Sequence, residues 1–288
     1  MSFVFPLNKT LTGQEILSLV SYSMVRGNVD EVVDKVVNPS SIVSQSLFFC
    51  RGLVALSPSN ALLKSICLAT PMAVNRLPPV GLSIQVQDPI AELSKVLLGL
   101  DGDGVLFQAR WMDENSISEL IMGSSGEIDL TALIAAGTSF GESPIVGPGA
   151  QIGVSGLGFV DQANGDRIRV PHLGKVKLGR NVVIGAGSVI VRGQFSDTVI
   201  GSNVRLGNLV NVGHNCVIGD RAVISSGTII GGGCIIGDDV EMGVGVTISP
   251  KVTIGRGAFV AAGSVVLRNV QSGTMVSGNP ATVVRRGN

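Results

Sequence analysis

Residues 200–266 read IGSNVR LGNLVN VGHNCV IGDRAV ISSGTI IGGGCI IGDDVE MGVGVT ISPKVT IGRGAF VAAGSV V, with an aliphatic side chain at every sixth position from Ile200 to Val266. Six is the period of neither a helix nor a plain strand, so the unit is a short strand plus a turn, stacked on copies of itself. Gly follows the aliphatic residue in most hexads, as at Gly201, Gly207, Gly213 and Gly231. A small or β-branched residue lies four places on, as at Val204, Val210, Cys216, Ala222, Thr228 and Cys234. This pattern predicts a parallel β-helix in which three hexads make one coil of a triangular prism and both series fill the interior. Gly marks the corner, where a positive φ or a close backbone approach excludes a Cβ.

The beat extends upstream through Ile128, Ile134, Phe140, Val146 and Ile152, and resumes at Leu178, Ile184 and Ile190. Two interruptions break it. Residues 156–171 are polar and turn-rich, with Asp161, Asn164-Gly165 and Asp166. Residues 192–198 carry a second excursion before Ile200. A loop on a rigid scaffold either builds a binding surface or covers an edge, and both readings stand here.

Residues 1–100 lack hexads and are expected to form a small α/β domain. Thr12 and Glu15 make a capping box ahead of Ile16, Leu17, Leu19 and Val20 at helical spacing. Strands and turns are expected over 32–54, a helix over 59–69 stopped by Pro71, and an alternating half-buried strand over 80–86. Asp88 is placed to cap a helix with Pro89 in its first turn. A connection follows over 101–125, where Asp101-Gly102-Asp103-Gly104 reads as a turn, since the later acidic ligands of a calcium loop are missing. The β-helix is expected over 126–276, and 277–288 as an extended tail.

The chain of 288 residues has zero formal net charge and no Lys/Arg run, so nothing recommends nucleic acid as a partner. No apolar run reaches the ~20 residues that span a bilayer, and no secretory signal is evident at the N-terminus. Cys216 and Cys234 fall on the interior series and read as core fillers, in keeping with a reducing compartment. The expected location is cytoplasmic, with no membrane span.

A prism packed with aliphatic side chains leaves chemistry to its outside. The chain has two histidines. His214 lies two places past the inward Val212, so the pattern points it outward, where it reads either as a general base or as an ordinary surface histidine. His172 follows Pro171. Two imidazoles fall short of a three-histidine zinc site, and no metal is expected. The Gly-Xaa-Gly strings are corners of the repeat, not phosphate loops.

Several runs together resemble a known family. Gly156-Leu157-Gly158-Phe159, Gly165-Asp166-Arg167, Pro171-His172-Leu173-Gly174, Arg192-Gly193, Asp197-Thr198 and Gly213-His214-Asn215 are similar, in order and spacing, to the UDP-3-O-acylglucosamine N-acyltransferases of lipid A biosynthesis. The resemblance continues loosely through Ser46-Leu47-Phe48-Phe49 and Asp88-Pro89. It implies a homotrimer of left-handed β-helices, with acyl carrier protein as partner and donor through its phosphopantetheine thioester, a UDP-amino sugar as acceptor, and no permanently bound cofactor. It also implies His214 as the base, the Gly232 N–H as oxyanion donor, and Phe48 stacking on uridine. The acceptor-binding positions of the family fall on Arg51, Asn208 and Lys251.

Some positions depart from the family's pattern. Gly207 and Val191 stand where family members carry Asp, Lys251 where a second His is usual, and Arg51 where Asn is usual. The end of the chain, Ser277-Gly278-Asn279-Pro280-Ala281, is similar instead to small acetyltransferases that use coenzyme A. Two alternatives therefore stand: a coenzyme A-dependent nucleotide-sugar acetyltransferase, and a catalytically silent sugar-nucleotide-binding trimer.

Overall fold

The computed structural model describes residues 4–37, 42, 44–51, 56, 58–100, 111–113, 116–117, 125–162 and 164–284. The chain divides into two compact units, residues 1–108 with 157–173, and residues 109–156 with 174–288. The Asp101-Gly102-Asp103-Gly104 turn lies outside the described residues.

The first unit is built on a six-stranded mixed sheet. Its strands are β1 (Val4–Thr12), β2 (Met24–Gly27), β3 (Val32–Val37), β4 (Ser46–Cys50), β5 (Ile66–Ala69) and β6 (Leu82–Gln85), in the order β1-β3-β4-β5-β6-β2. Strands β3 to β6 pair in parallel, and β1 and β2 close the two edges antiparallel. Helix α1 (Gly13–Leu19) starts on the expected capping box: the Glu15 N–H donates to Thr12 Oγ1, and Glu15 Oε2 accepts from the Thr12 N–H. Helix α3 (Pro89–Leu100) is capped by Asp88 Oδ1, which accepts from the N–H groups of Ile90 (3.0 Å) and Ala91 (3.3 Å).

The helix expected over 59–69 is not formed. A 3-10 turn, Leu62–Lys64, leads into β5, and α2 (Pro71–Val74) follows. The run Ile66-Cys67-Leu68-Ala69 is buried on both faces between β4 and β6, and a continuous apolar run suits a central parallel strand as well as a helix. The interruption at 157–173 holds an antiparallel pair, Phe159–Asp161 with Arg167–Arg169.

The second unit is the parallel β-helix that the six-residue beat predicts. Its strands are two or three residues long and stack into three sheets; Val212 lies beside Ile230 and Ile230 beside Ile248 in one of them. Aliphatic residues of the hexad series and the small series behind them form one continuous core, from Ile128 through Val212 and Cys216 to Val276. Corners explain the glycines more sharply than the sequence could. The first corner Gly has no room for a Cβ, because the next coil's backbone passes too close: at Gly213 it would stand 2.6 Å from the Gly232 nitrogen. The left-handed φ falls two residues later, at Asn203, Leu209, Asn215, Arg221, Gly227, Gly233 and Lys251.

Residues 277–284 do not run off as an extended tail. Met275–Gly278 adds in parallel to Phe259–Val260, and Ala281–Val284 folds back antiparallel on it, which pairs backbone groups at the end of one sheet. Among the described residues, no helix is long and apolar enough to cross a membrane.

Candidate active site

His214 occupies the corner that follows Asn211–Val212, in the triplet Gly213-His214-Asn215. One coil on, the same corner is Gly231-Gly232-Gly233, and the coil after that supplies Ser249-Pro250-Lys251. Stacking holds these triplets together through main-chain bonds: the Gly233 N–H donates to His214 O (2.7 Å) and the Lys251 N–H to Gly232 O (2.9 Å). Adjacent coils are about 4.8 Å apart, the ordinary spacing of paired strands. The imidazole edge bearing Nε2 lies against Gly232. A Cβ at Gly232 would stand 2.6 Å from Nε2, so this residue must be Gly for the ring to sit where it does.

The other ring nitrogen is held. His214 Nδ1 lies 2.8 Å from Asn215 Oδ1. That same oxygen accepts from the Gln194 N–H (3.1 Å), while Asn215 Nδ2 donates to Ser196 Oγ (2.6 Å) and Ser196 O (3.0 Å). With a backbone N–H aimed at it, the Oδ1 atom can only be the acceptor, so Nδ1 carries the proton and the neutral ring keeps its lone pair on Nε2. Asn215 also stands at φ +59°, a conformation that Asn accepts more readily than most residues.

At four corners the matching N–H is tied to a side chain of the next coil: Ser202 to Asp220 Oδ1 (2.7 Å), Asp220 to Asp238 Oδ1 (2.9 Å), Asn208 to Ser226 Oγ (3.1 Å) and Ala186 to Asn208 Oδ1 (2.9 Å). Above Gly232 stands Pro250, which has no hydrogen-bonding side chain, and the Gly232 N–H has no acceptor among the described residues. A backbone donor left open beside an unprotonated imidazole nitrogen suits a reaction in which one group loses a proton while a nearby oxygen gains negative charge.

The other expected site residues are distributed unevenly. Lys251 is exposed in the same corner as His214, two coils on. Asn208 is not at that corner. It turns the neighbouring corner, before the strand Asn211–Val212, and its side-chain oxygen is spent on the Ala186 N–H. Gly207 could not hold the missing carboxylate either, because a Cβ there would stand 2.6 Å from the Ser226 nitrogen. Phe48 is not placed where uridine stacking would need it. Its ring is fully buried in the first unit against Val37, Leu62, Ala73 and Val74, so it has no face to offer a base; Phe49, next along β4 and half-buried, points to the other side of the sheet.

Arg51 donates through Nη2 to both oxygens of Asp88 (2.6 and 2.7 Å). Burial tends to raise the Asp88 carboxyl's pKa, but the Arg51 hydrogen bond and the N–H groups of Ala91 and Ile90 outweigh it and hold it below the usual range. Asp88 also lines a cavity of about 490 Å³ in the first unit, with Glu92, Lys95, Asp161, Gln162 and Asn164. His172 is buried, at 2% exposure.

Sequence reasoning named the histidine and the glycine but not Asn215's role or its ties to Gln194 and Ser196. The only hint was a corner Asn one coil after the excursion at 192–198.

The repeat is similar in sequence to known proteins. The stretch 197–232 matches the bacterial transferase hexapeptide (six repeats). Residues 176–192 and 235–268 match the hexapeptide repeat of succinyl-transferase. A UDP-3-O-acylglucosamine N-acyltransferase from Methylorubrum extorquens is 39% identical over 145 residues, which are 50% of this chain and 41% of that protein. One of the same name from Coxiella burnetii is 41% identical over 88 residues, 31% of this chain and 26% of that protein. The chain thus spans less than half the length of these relatives. Among solved structures, a UDP-N-acetylglucosamine acyltransferase from Bacteroides fragilis superposes with a TM-score of 0.44 at 19% identity, over 55% of this chain and 60% of that one.

Proposed function

We propose that the chain is an acyltransferase that moves an acyl group from a thioester to the amine of a UDP-amino sugar, of the kind named in its hexapeptide relatives. The observation that carries this reading is the pairing of His214 Nε2 with Gly232 across one coil step, with Nδ1 held by Asn215. In the proposed reaction the sugar amine attacks the thioester carbonyl. His214 Nε2 takes the amine proton, the Gly232 N–H donates to the oxygen that becomes negative, and the thiolate leaves with the tetrahedral intermediate's collapse. Acyl carrier protein is the proposed donor and a second and third copy of the chain the proposed partners.

For the uridine, the first unit offers Phe49 in place of the buried Phe48, and the Arg51–Asp88 pair at the cavity that Asp88 lines. Lys251, exposed in the His214 corner, is the proposed cation for an anionic part of a substrate.

A steady-state assay of His214→Ala with acylated carrier protein and a UDP-3-O-acylglucosamine is expected to lose about 10²–10⁴ in kcat. Activity within a few-fold of wild type removes His214 from the mechanism. The same assay with coenzyme A thioesters separates the donors, and UDP-sugar binding without transfer from any thioester establishes the silent reading instead. Light scattering that gives a stable monomer overturns the trimer.

A further inference from the structure

We infer that the excursion 192–198 is a clamp for the base, with Ser196 and Thr198 as positioning residues that act on His214 through Asn215. The inference rests on the reading above that His214 takes the proton. Every hydrogen-bonding position of the Asn215 side chain is used: Oδ1 accepts from the Gln194 N–H and faces His214 Nδ1, and Nδ2 gives one hydrogen to Ser196 Oγ and the other to Ser196 O. Turning the amide over would set its NH2 against the Gln194 N–H and its oxygen against the Ser196 carbonyl. Two hydrogen bonds would become two repulsions.

The backbone is held as firmly. The Asn215 N–H donates to Thr198 Oγ1 (2.9 Å), and that hydroxyl donates in turn to Val191 O (2.7 Å). The loop that supplies these groups is pinned at its own ends. Asp197 accepts from the Lys175 N–H (2.9 Å) and pairs with Lys177 Nζ (2.7 Å), Arg192 Nε donates to Gly174 O (2.6 Å), and Gly193 leaves no room for a Cβ against the Ser196 carbonyl. Phe195 is buried at 7% exposure, which anchors the loop's apolar side.

The consequence is chemical. A histidine base is normally oriented by a carboxylate, and here the orienting atom is an amide oxygen. An amide imposes the Nδ1–H tautomer only while the amide itself cannot rotate. Ser196 and the Gln194 N–H remove that freedom, so the loop does the orienting that a carboxylate does by charge. During transfer the amine proton goes to Nε2, Nδ1–H stays on Asn215 Oδ1, and no proton passes to the amide.

The test uses the full chain labelled with 15N-histidine. With two histidines in the sequence, a His214→Gln variant assigns the spectrum. Wild type is expected to show His214 as the Nδ1–H tautomer. Ser196→Ala leaves the Gln194 N–H and the main-chain carbonyl of residue 196 to hold the amide, so it is expected to keep the Nδ1–H tautomer and to lower kcat about five- to tenfold with KM for the UDP-sugar unchanged, the loss of one neutral hydrogen bond. Ser196→Thr, which keeps the hydroxyl, is expected to restore kcat. A wild-type Nε2–H tautomer, or a Ser196→Ala protein with unaltered kcat, overturns the clamp. If His214→Ala stays active, the base assignment fails on its own, while the tautomer measurement still decides whether the loop orients the ring.

Discussion

Two corners of the same prism, one coil step high and one strand apart, are used in opposite ways. At the Asp220 corner two successive coils are secured by the next: the Ser202 N–H is tied to Asp220, the Asp220 N–H to Asp238, and Arg221 reaches Asp239, which also meets Arg256. At the His214 corner the following coils bring Gly and Pro, and the Gly232 N–H stays open among the described residues. Backbone geometry is the same in both places, so the difference comes from side chains alone. What sets the His214 corner apart is that its uncapped N–H belongs to a glycine packed against the Nε2 edge of an imidazole.

The largest effect is expected at Gly232. Gly232→Ala keeps the N–H but places a methyl 2.6 Å from His214 Nε2, which drives the imidazole out of position; kcat is expected to fall about 10²-fold or more, the range for a displaced general base, and a variant within tenfold of wild type in the transfer assay ends the pairing of His214 with Gly232. A finer test converts one corner into the other. Pro250→Ser gives the Gly232 N–H a hydroxyl like the one Ser226 offers Asn208. The oxyanion must then displace an internal hydrogen bond worth about 1 kcal/mol, so kcat is expected to drop about tenfold while thermal stability is kept.

The reverse change should spare activity. Asp220→Ala strips the cap from Ser202; unfolding in denaturant is expected to show a loss of about 1 kcal/mol with kcat unchanged. The smallest effect lies in the first unit. Asp88 is held below the usual carboxylate range, so its contribution is fully present above a pH of about 3.9 and is lost as pH falls through the folded value. Both members of its pair with Arg51 are partly exposed, and Arg51→Ala is expected to cost under about 1 kcal/mol, visible in melts at neutral pH and absent in strong acid.

The repeat was legible in the sequence because a coil is local: a hexad's inward residue, its corner and its neighbour series recur so often that packing adds no choice. Ile218, Ile230 and Ile236 are buried as that beat requires. Position 66–69 was not legible, because an apolar run buried on both faces has no period to show whether it is strand or helix. Phe48 and Phe49 stand one residue apart, and which of them faces outward depends on sheet order that the sequence does not display. The site divided in the same way. His214 and Gly232 follow from counting along the repeat, whereas Asn215's ties to Gln194 and Ser196 depend on how an irregular loop folds back, which no count reveals.

The coil step also sets an arithmetic for the site. The fold tolerates the gain or loss of any whole hexad, since every inward position would still meet the core, but the site does not. His214 meets Gly232 because register pairs Val212 with Ile230. Remove one hexad between them and the sheets still form, yet the glycine turns away to another edge of the prism. Catalytic competence therefore fixes one separation, a single coil from base to oxyanion donor, on a scaffold that repeats every hexad, and the excursion that holds Asn215 must keep its own one-coil spacing as well.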